Sequence, residues 1–322
     1  MGKLPMAERP MRNVIVTGAS GFIGRRVVEI LNERFGPDVN VYGLSSRDVD
    51  LSNRTAVFDW ADRIQWTFDC DHIIHLAALY RAGNWPVTHP ATQFFVNMSI
   101  NVNVLEAWKR FFPAARMTSI LSYCMYPSHP EPHPESELYG TEPEDYLFAY
   151  ALTKKAMLIG QRAYRQEHEL SSTSVILPTV YGPGDSFAED SHVMGALVGK
   201  FVRAADRGAE TVEVWGDGNQ EREFLYVDDA VDGIIEAAMR SEEDVLNIGT
   251  GEAHRIGDIA SWISEAAGFQ GQVVNNTNRF VGVSKRMLDT SRAKEALGWK
   301  AKTSIREGIE ASVAWCRQHE LV

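Results

Sequence analysis

The chain has 322 residues, 44% of them apolar and 23% charged, with a formal net charge of −11. These are the proportions of a folded globular protein rather than a disordered one. The acidic balance argues against nucleic acid or an anionic membrane as the main partner.

Asn13–Thr17 (NVIVT) predicts a strand, Phe22–Arg34 a helix, Val39–Leu44 a strand and Arg54–Trp66 a helix. Strand Asp71–Leu76, helix Pro90–Phe111, strand Met117–Ser122, helix Asp145–His168 and strand Ser172–Leu177 follow. Alternation of this kind predicts βα crossovers, hence an α/β chain built on a Rossmann-type doubly wound parallel sheet. After Pro178 the rhythm changes. Residues 179–191 read as a turn-rich loop, Gly195–Arg207 as a helix, and Thr211–Gly218 as a short strand with a turn. Helix Val227–Met239 and strand Val245–Ile248 are placed to rejoin the main sheet, and helices Ile256–Ala267 and Ile305–His319 close the chain. The expected division is a dinucleotide-binding domain of residues 12–178 and 225–255, with a smaller mixed α/β substrate domain of residues 179–224 and 256–322.

No segment approaches the roughly 18 consecutive apolar residues of a membrane span. The leader MGKLPMAERP lacks the apolar core of a signal peptide and reads as a flexible start, so the cytoplasm is the expected compartment. Cys70, Cys124 and Cys316 are too scattered for a disulfide framework or a zinc site. In the proline-rich loop Pro127–Glu137, His129 and His133 read as solvated side chains, and no metal is expected.

NVIVTGASGFIGRRVVEIL sets Gly18, Gly21 and Gly24 between the first strand and the first helix. Such a turn brings backbone and helix N-terminus close to a pyrophosphate, with Ser20, Phe22, Ile23 and Arg25 around it. The second strand ends in Ser45-Ser46-Arg47, where an NAD site would hold an acid. Hydroxyls and a cation suit a 2′-phosphate, so the reading is NADP over NAD. Asp50 and Leu51 are placed to flank the adenine, and small Ala77 and Ala78 leave room for the adenosine.

YALTK places Tyr150 and Lys154 one helical turn apart on one face. A nearby ammonium favours phenolate, which makes tyrosine a usable proton donor to a carbonyl. Ser122, at the end of the preceding strand, is placed to bond the same oxygen.

The glycine turn, the strand-end serine and YxxxK together resemble the extended short-chain dehydrogenases/reductases of the NAD-dependent epimerase/dehydratase family. SYCMYP, VYGPGDSF, DSHVMGALVGKF and VEVWGDGNQEREFLYVDD draw the likeness toward members that epimerise and reduce GDP-linked 4-keto-6-deoxy sugars. The likeness runs from Met11 to the last helix. It implies a reductive centre of Ser122, Tyr150 and Lys154, with Cys124 and His192 as the epimerising acid and base. It implies cofactor contacts from Tyr150, Lys154, Pro178, Val180 and His192. Substrate contacts would come from Ser122, Tyr123, Cys124, Asp185, Phe187, His192, Val193, Lys200, Trp215, Arg222 and Lys285, with Arg286 the alternative to Lys285. It also implies a homodimer that pairs the helices near Pro90–Phe111 and Asp145–His168. The chain departs from the family's pattern at Tyr123 (usually small), Thr179 (usually Asn), Lys200 (usually Arg) and the run VGVSKR.

The function expected is therefore NADPH-dependent 3,5-epimerisation and 4-reduction of a nucleotide-linked 4-keto-6-deoxy sugar. The alternative is a 4-reductase or 4-epimerase of another nucleotide sugar, such as a GDP-heptose or a dTDP-deoxyhexose, with Cys124 a bystander. A non-catalytic dinucleotide sensor has no need for the Ser122, Tyr150 and Lys154 set.

Overall fold

The computed structural model describes residues 11–81, 83–139, 145–279 and 282–319. The leader read from the sequence lies outside them. In chain order the first half comprises β1 (Asn13–Thr17), α1 (Phe22–Phe35), β2 (Asn40–Leu44), α2 (Arg54–Ile64), β3 (His72–His75), α3 (Trp85–Thr88), α4 (Pro90–Phe111), β4 (Arg116–Ser122), α5 (Phe148–His168) and β5 (Ser172–Leu177). Then follow β6 (Thr179–Tyr181), α6 (Val193–Arg207), β7 (Thr211–Trp215), β8 (Glu221–Tyr226), α7 (Val227–Arg240) and β9 (Val245–Asn247). The chain ends with β10 (Ala253–Arg255), α8 (Ile256–Ala267), β11 (Gln272–Asn276), β12 (Lys285–Arg286), α9 (Ser291–Leu297) and α10 (Ile305–His319).

The main sheet has six strands in the order β2-β1-β3-β4-β5-β9, and every neighbouring pair is parallel. Apolar side chains cover both faces, as buried parallel sheets require. Val57, Val104 and Met157 from α2, α4 and α5 fill one side. Val27, Ile30, Ala230 and Ile234 from α1 and α7 fill the other. A third cluster, with Phe201, Ile259 and Ile309, joins α6, α8 and α10.

A second sheet orders β10-β8-β12, with β6 also on β8, and β11 pairs with β7. These short strands are where sequence patterning fell short. Residues 179–181 were read as loop, yet β6 pairs with β8 in parallel, Thr179 opposite Phe224. The run EREFLY hides its strand because Glu223 is charged in type but 0% exposed. Its carboxylate accepts from the Thr250, Gly251 and Leu288 amides at 2.6, 3.0 and 2.7 Å, tying the second sheet to the loop after β9. Burial still pushes that carboxyl up to about 7. The proline-rich loop also differs from its sequence reading. His133 is fully buried and His129 is half-buried, both bonded to Glu137, so neither is a solvated side chain.

Glu223→Gln should lower unfolding stability by about 2–4 kcal/mol, since an amide cannot accept at both ends and strands buried N–H groups. Urea denaturation of the two proteins would measure it; an unchanged midpoint would show that these bonds carry little.

Candidate active site

The chain leaves β1 for β2 on one side and meets β3 on the other, which opens a crevice at the carboxyl ends of these strands. Gly18 adopts φ +71°, and a Cβ there would lie 2.9 Å from the Ala77 amide nitrogen. A Cβ on Gly24 would fall 2.1 Å from the Gly18 carbonyl oxygen, so only glycine lets α1 start this close to the turn. Gly21 caps α1 without a side-chain acceptor, and no acid occupies the first turn. The amides of that turn are therefore open to an anion, and the cradle fits a dinucleotide pyrophosphate. Ser20 is exposed beside them, and Phe22 and Ile23 are half-buried against the sheet. Thr17 Oγ1 lies 2.7 Å from His75 Nδ1 and accepts from the Ala77 amide, joining the ends of β1 and β3 below Ala77 and Ala78.

Other cofactor-side residues take definite places. Arg25 crosses to donate to the Gly184 carbonyl at 3.0 Å, linking the glycine turn to the loop after β6. Ser46 and Arg47 are exposed past β2. The acid of this turn is Asp48, which the sequence reading passed over. Its carboxylate is folded back onto the Ser45 amide and hydroxyl at 2.8 and 2.6 Å, and those bonds hold it below the usual carboxylate range. Asp50 likewise caps its own turn by accepting from Ser52, while Leu51 is buried and its carbonyl accepts from Asn103. Pro178 is buried between β5 and β6, and Val180 is half-buried opposite Leu225.

The reaction centre forms where β4 meets α5. Ser122 ends β4 and its hydroxyl accepts from the Cys124 amide at 3.4 Å, turning the chain so that Cys124 faces inward, 3% exposed. Lys154 Nζ donates to the Ile120 carbonyl at 2.7 Å and lies 5.6 Å from the Tyr150 ring centre. Burial pulls the Lys154 ammonium down to about 8 and pushes the Tyr150 hydroxyl well above the ordinary tyrosine value. Burial also raises the Cys124 thiol, against the opposing pull of Ser122, Arg286 and Lys154.

One residue of this centre escaped the sequence reading. The Tyr80 ring lies 4.8 Å from the Tyr150 ring and stacks on the His192 ring at 5.0 Å, 2° from parallel. Asn97 of α4 positions it by bracketing Leu79, accepting from its amide at 2.8 Å and donating to its carbonyl at 2.9 Å. Its signal was positional, since it follows Ala77-Ala78 off the carboxyl end of β3. His192 caps α6 at the protein surface, yet its ring is covered by Tyr80, and desolvation lowers its imidazole. Gly195 and Gly199 bring α6 against the preceding loop, since Cβ atoms there would meet the Ser186 and Phe187 carbonyl oxygens at 2.2 and 2.0 Å.

Toward the substrate side, Asp185 is buried and accepts from the Ser186 amide. Phe187 differs from its expected role. Its side chain is core, packed against Trp315, and its carbonyl accepts from Arg203. Val193 opens α6, half-buried. Trp215 is 40% exposed, with Lys200 and Arg279 cations 5.3 and 5.1 Å from its ring, and Arg279 is a further residue the sequence did not single out. Arg222 donates to the Glu221 carbonyl, while Asp228 pairs with Arg26 and Asp229 accepts from the Thr303 amide. A Cβ on Gly282 would fall 3.0 Å from the Tyr146 hydroxyl and 3.4 Å from the Arg222 guanidinium, so these three converge. Lys285 pairs with Glu221 at 3.0 Å, and Arg286 turns inward over the Tyr123 ring at 5.3 Å. The Tyr123 and Thr179 hydroxyls, both at departures from the family's pattern, bond each other at 2.7 Å.

A doubly wound sheet with a glycine cradle on β1 and Ser122, Tyr150 and Lys154 across β4 and α5 defines a dinucleotide-dependent enzyme of the short-chain type. Residues 14–249 match the NAD dependent epimerase/dehydratase family, and the chain belongs to it. It is a nucleotide-sugar epimerase/reductase. A probable GDP-L-fucose synthase of Oryza sativa subsp. japonica is 34% identical over 94% of this chain and 91% of its own length. A GDP-L-fucose synthetase from Naegleria fowleri superposes with a TM-score of 0.86 at 24% identity, over 98% of this chain and 95% of that one. A GDP-mannoheptose C4 reductase from Campylobacter jejuni, solved with NADP, gives 0.82 at 25% identity, over 95% and 98% of the two chains. No helix among the described residues is long and apolar enough to cross a membrane.

Proposed function

We propose that this enzyme inverts C3 and C5 of a GDP-linked 4-keto-6-deoxy sugar and reduces C4 with NADPH. The supporting observation is the Tyr80 ring, which lies against the reductive Tyr150 at 4.8 Å and stacks on His192 at 5.0 Å, so that the two groups are brought to one place. Cys124 stands close enough that its charge would act on Tyr80, Tyr150 and Lys154. Hydrogens on carbons beside a 4-keto group are acidic because the carbanion is an enolate. Inversion needs one group to remove a proton from one face and another to return one on the opposite face. Burial raises the Cys124 thiol, and desolvation under the Tyr80 ring lowers the His192 imidazole, so the proposed roles at neutral pH are Cys124 as proton donor and His192 as acceptor. The Tyr150 hydroxyl donates to the ketone oxygen, stabilising the enolate and later protonating the C4 oxygen, with the Lys154 charge beside it. The dinucleotide, when bound, supplies hydride. Arg222 and Lys200, with the Trp215 face, are assigned to the nucleoside diphosphate.

The second reading, a C4 reductase in which Cys124 is a bystander, draws on Tyr123, a bulky residue next to Cys124 in the chain where the family's pattern has a small one. The two part in heavy water. With a GDP-4-keto-6-deoxy sugar and no NADPH, deuterium should enter C3 and C5, and Cys124→Ala or His192→Ala should slow exchange by about 100-fold or more. Wild-type enzyme that reduces the sugar without exchange would leave only the second reading. Running the assay with GDP-, dTDP-, UDP- and CDP-linked sugars tests the base.

Ser46 and Arg47 past β2, with Asp48 committed to Ser45, support NADP over NAD. Arg47→Ala should raise KM for NADPH about tenfold and leave KM for NADH nearly unchanged, as loss of a charge-assisted phosphate bond predicts. Equal changes for both cofactors would remove Arg47 from that role.

Helices α4 and α5 expose an apolar face of Phe95, Val102, Leu152 and Ile159, the members of each helix seven residues apart. A second copy of the chain is the proposed cover, giving a homodimer. Sedimentation should report two chains for the native protein and one for Ile159→Asp; a monomeric native protein would refute it.

A further inference from the structure

The proline-rich loop after Tyr126 holds a constellation that the proposed reaction does not use. Glu137 Oε2 lies 3.0 Å from His129 Nε2 and 2.8 Å from His133 Nδ1. The two imidazole centres are 4.0 Å apart, and the three ligand-type atoms all lie within 4.8 Å of one another. We propose that His129, His133 and Glu137 form a binding site for a divalent transition-metal ion, zinc by the character of its ligands.

Two imidazoles and one carboxylate are a ligand set that zinc takes, with nitrogen and oxygen donors at about 2.0–2.2 Å and a fourth position for water. Donors at that distance in a tetrahedron stand about 3.3 Å apart. The two gaps to Glu137, 2.8 and 3.0 Å, would open by a few tenths of an ångström, and the gap between the two ring nitrogens, no more than 4.8 Å, would adjust to the same spacing. Without an ion both imidazoles donate to one carboxylate oxygen; to ligate, each ring moves its proton to its other nitrogen and presents the lone pair of a neutral imidazole to the cation. His129 Nδ1 and His133 Nε2, the nitrogens that would then carry the protons, are buried with no hydrogen-bond partner, so no bond at those nitrogens fixes the present tautomers.

The site is also built before any ion arrives. His133 is 0% exposed, stacks on Tyr126 at 5.0 Å, donates its amide to the Met287 carbonyl, and accepts at its own carbonyl from Asp289 and Asn247. Pro130, Pro132 and Pro134 fix φ along the loop, which lowers the entropy lost when it closes. The same prolines that make the two histidines look separate in sequence bend the loop back so that they meet. His129 and Glu137 each keep 31% side-chain exposure, which leaves an entry path and room for water. The ion would act as a clip. Through Tyr126 it braces the turn that carries Cys124, and it lies outside the reacting groups.

The test uses the full-length protein, stripped with a chelator and titrated with zinc chloride by calorimetry. One equivalent should bind, with a rise in melting temperature, and cobalt should give the absorption of a four-coordinate site. His129→Ala and Glu137→Gln should each weaken binding at least tenfold, while His319→Ala binds as the native protein does. His129 is partly exposed, so its alanine variant carries the test even where Glu137→Gln fails to fold. Absence of saturable binding, or equal binding by native protein and His129→Ala, overturns the site.

Discussion

The active centre depends on how α5 is fastened across β4 and β5, two interior strands of the main sheet. Lys154 donates to the Ile120 carbonyl, and seven residues on, Gln161 accepts from the Ser119 and Ser174 hydroxyls at 2.5 and 2.7 Å. Positions seven apart share a helix face, so these polar pins lie along one seam. Both groups are drawn into a low-dielectric interior where an unmade bond is expensive, which fixes the helix in register and rotation. Tyr150, one turn before Lys154, is thereby aimed at the strand end that carries Ser122. The lysine serves structure and electrostatics with one nitrogen: the bond that positions it also places its charge beside the phenol.

The second sheet is joined to this frame by two buried groups of opposite sign. Glu223 gathers three amides from segments distant in sequence, which brings β12 alongside β8. Arg286, on β12, then reaches the Cys124 turn, where its charge helps offset the burial that raises the thiol. In the proposed reaction the second sheet thus acts on the Cys124 proton through one guanidinium. His192 arrives from α6 by a separate route, set by the close approach of Gly195 and Gly199 to the Ser186–Phe187 loop. The centre is assembled from three independent supports, which is what pre-organised acid–base chemistry requires.

Legibility in the sequence followed the kind of force involved. The parallel sheet could be read because its strands are continuous apolar runs and its helices keep a 3.6-residue period. The glycine cradle and YxxxK could be read because their spacing is local. Glu221–Tyr226 could not, because its burial is satisfied by partners 27 to 65 residues away. Tyr80 was missed because nothing local marks it; its place comes from Asn97 on a later helix. Phe187 was assigned to the sugar from a motif whose aromatic side chain turns out to be core. The two loop histidines were read as solvated because proline spacing gives no hint that residues 287–289 close over them.

Two departures from the family's pattern, Tyr123 and Thr179, were read from the sequence as separate changes near the sugar. The fold makes them one, a 2.7 Å bond between hydroxyls that links the Cys124 turn to the start of β6. Arg286 lies over the face of the same ring. Losing either hydroxyl alone leaves the other part-buried without its partner, at a cost of about 1–3 kcal/mol, so the pair is coupled. Neither side chain is a group that takes or gives a proton in the proposed chemistry. What they add is a buried aromatic ring, next in sequence to Cys124, bonded to Thr179 at its hydroxyl and covered by Arg286 on its face. The departure from the pattern is thus confined to the Cys124 turn and the start of β6, while the Lys154 and Gln161 bonds that hold α5 do not involve it.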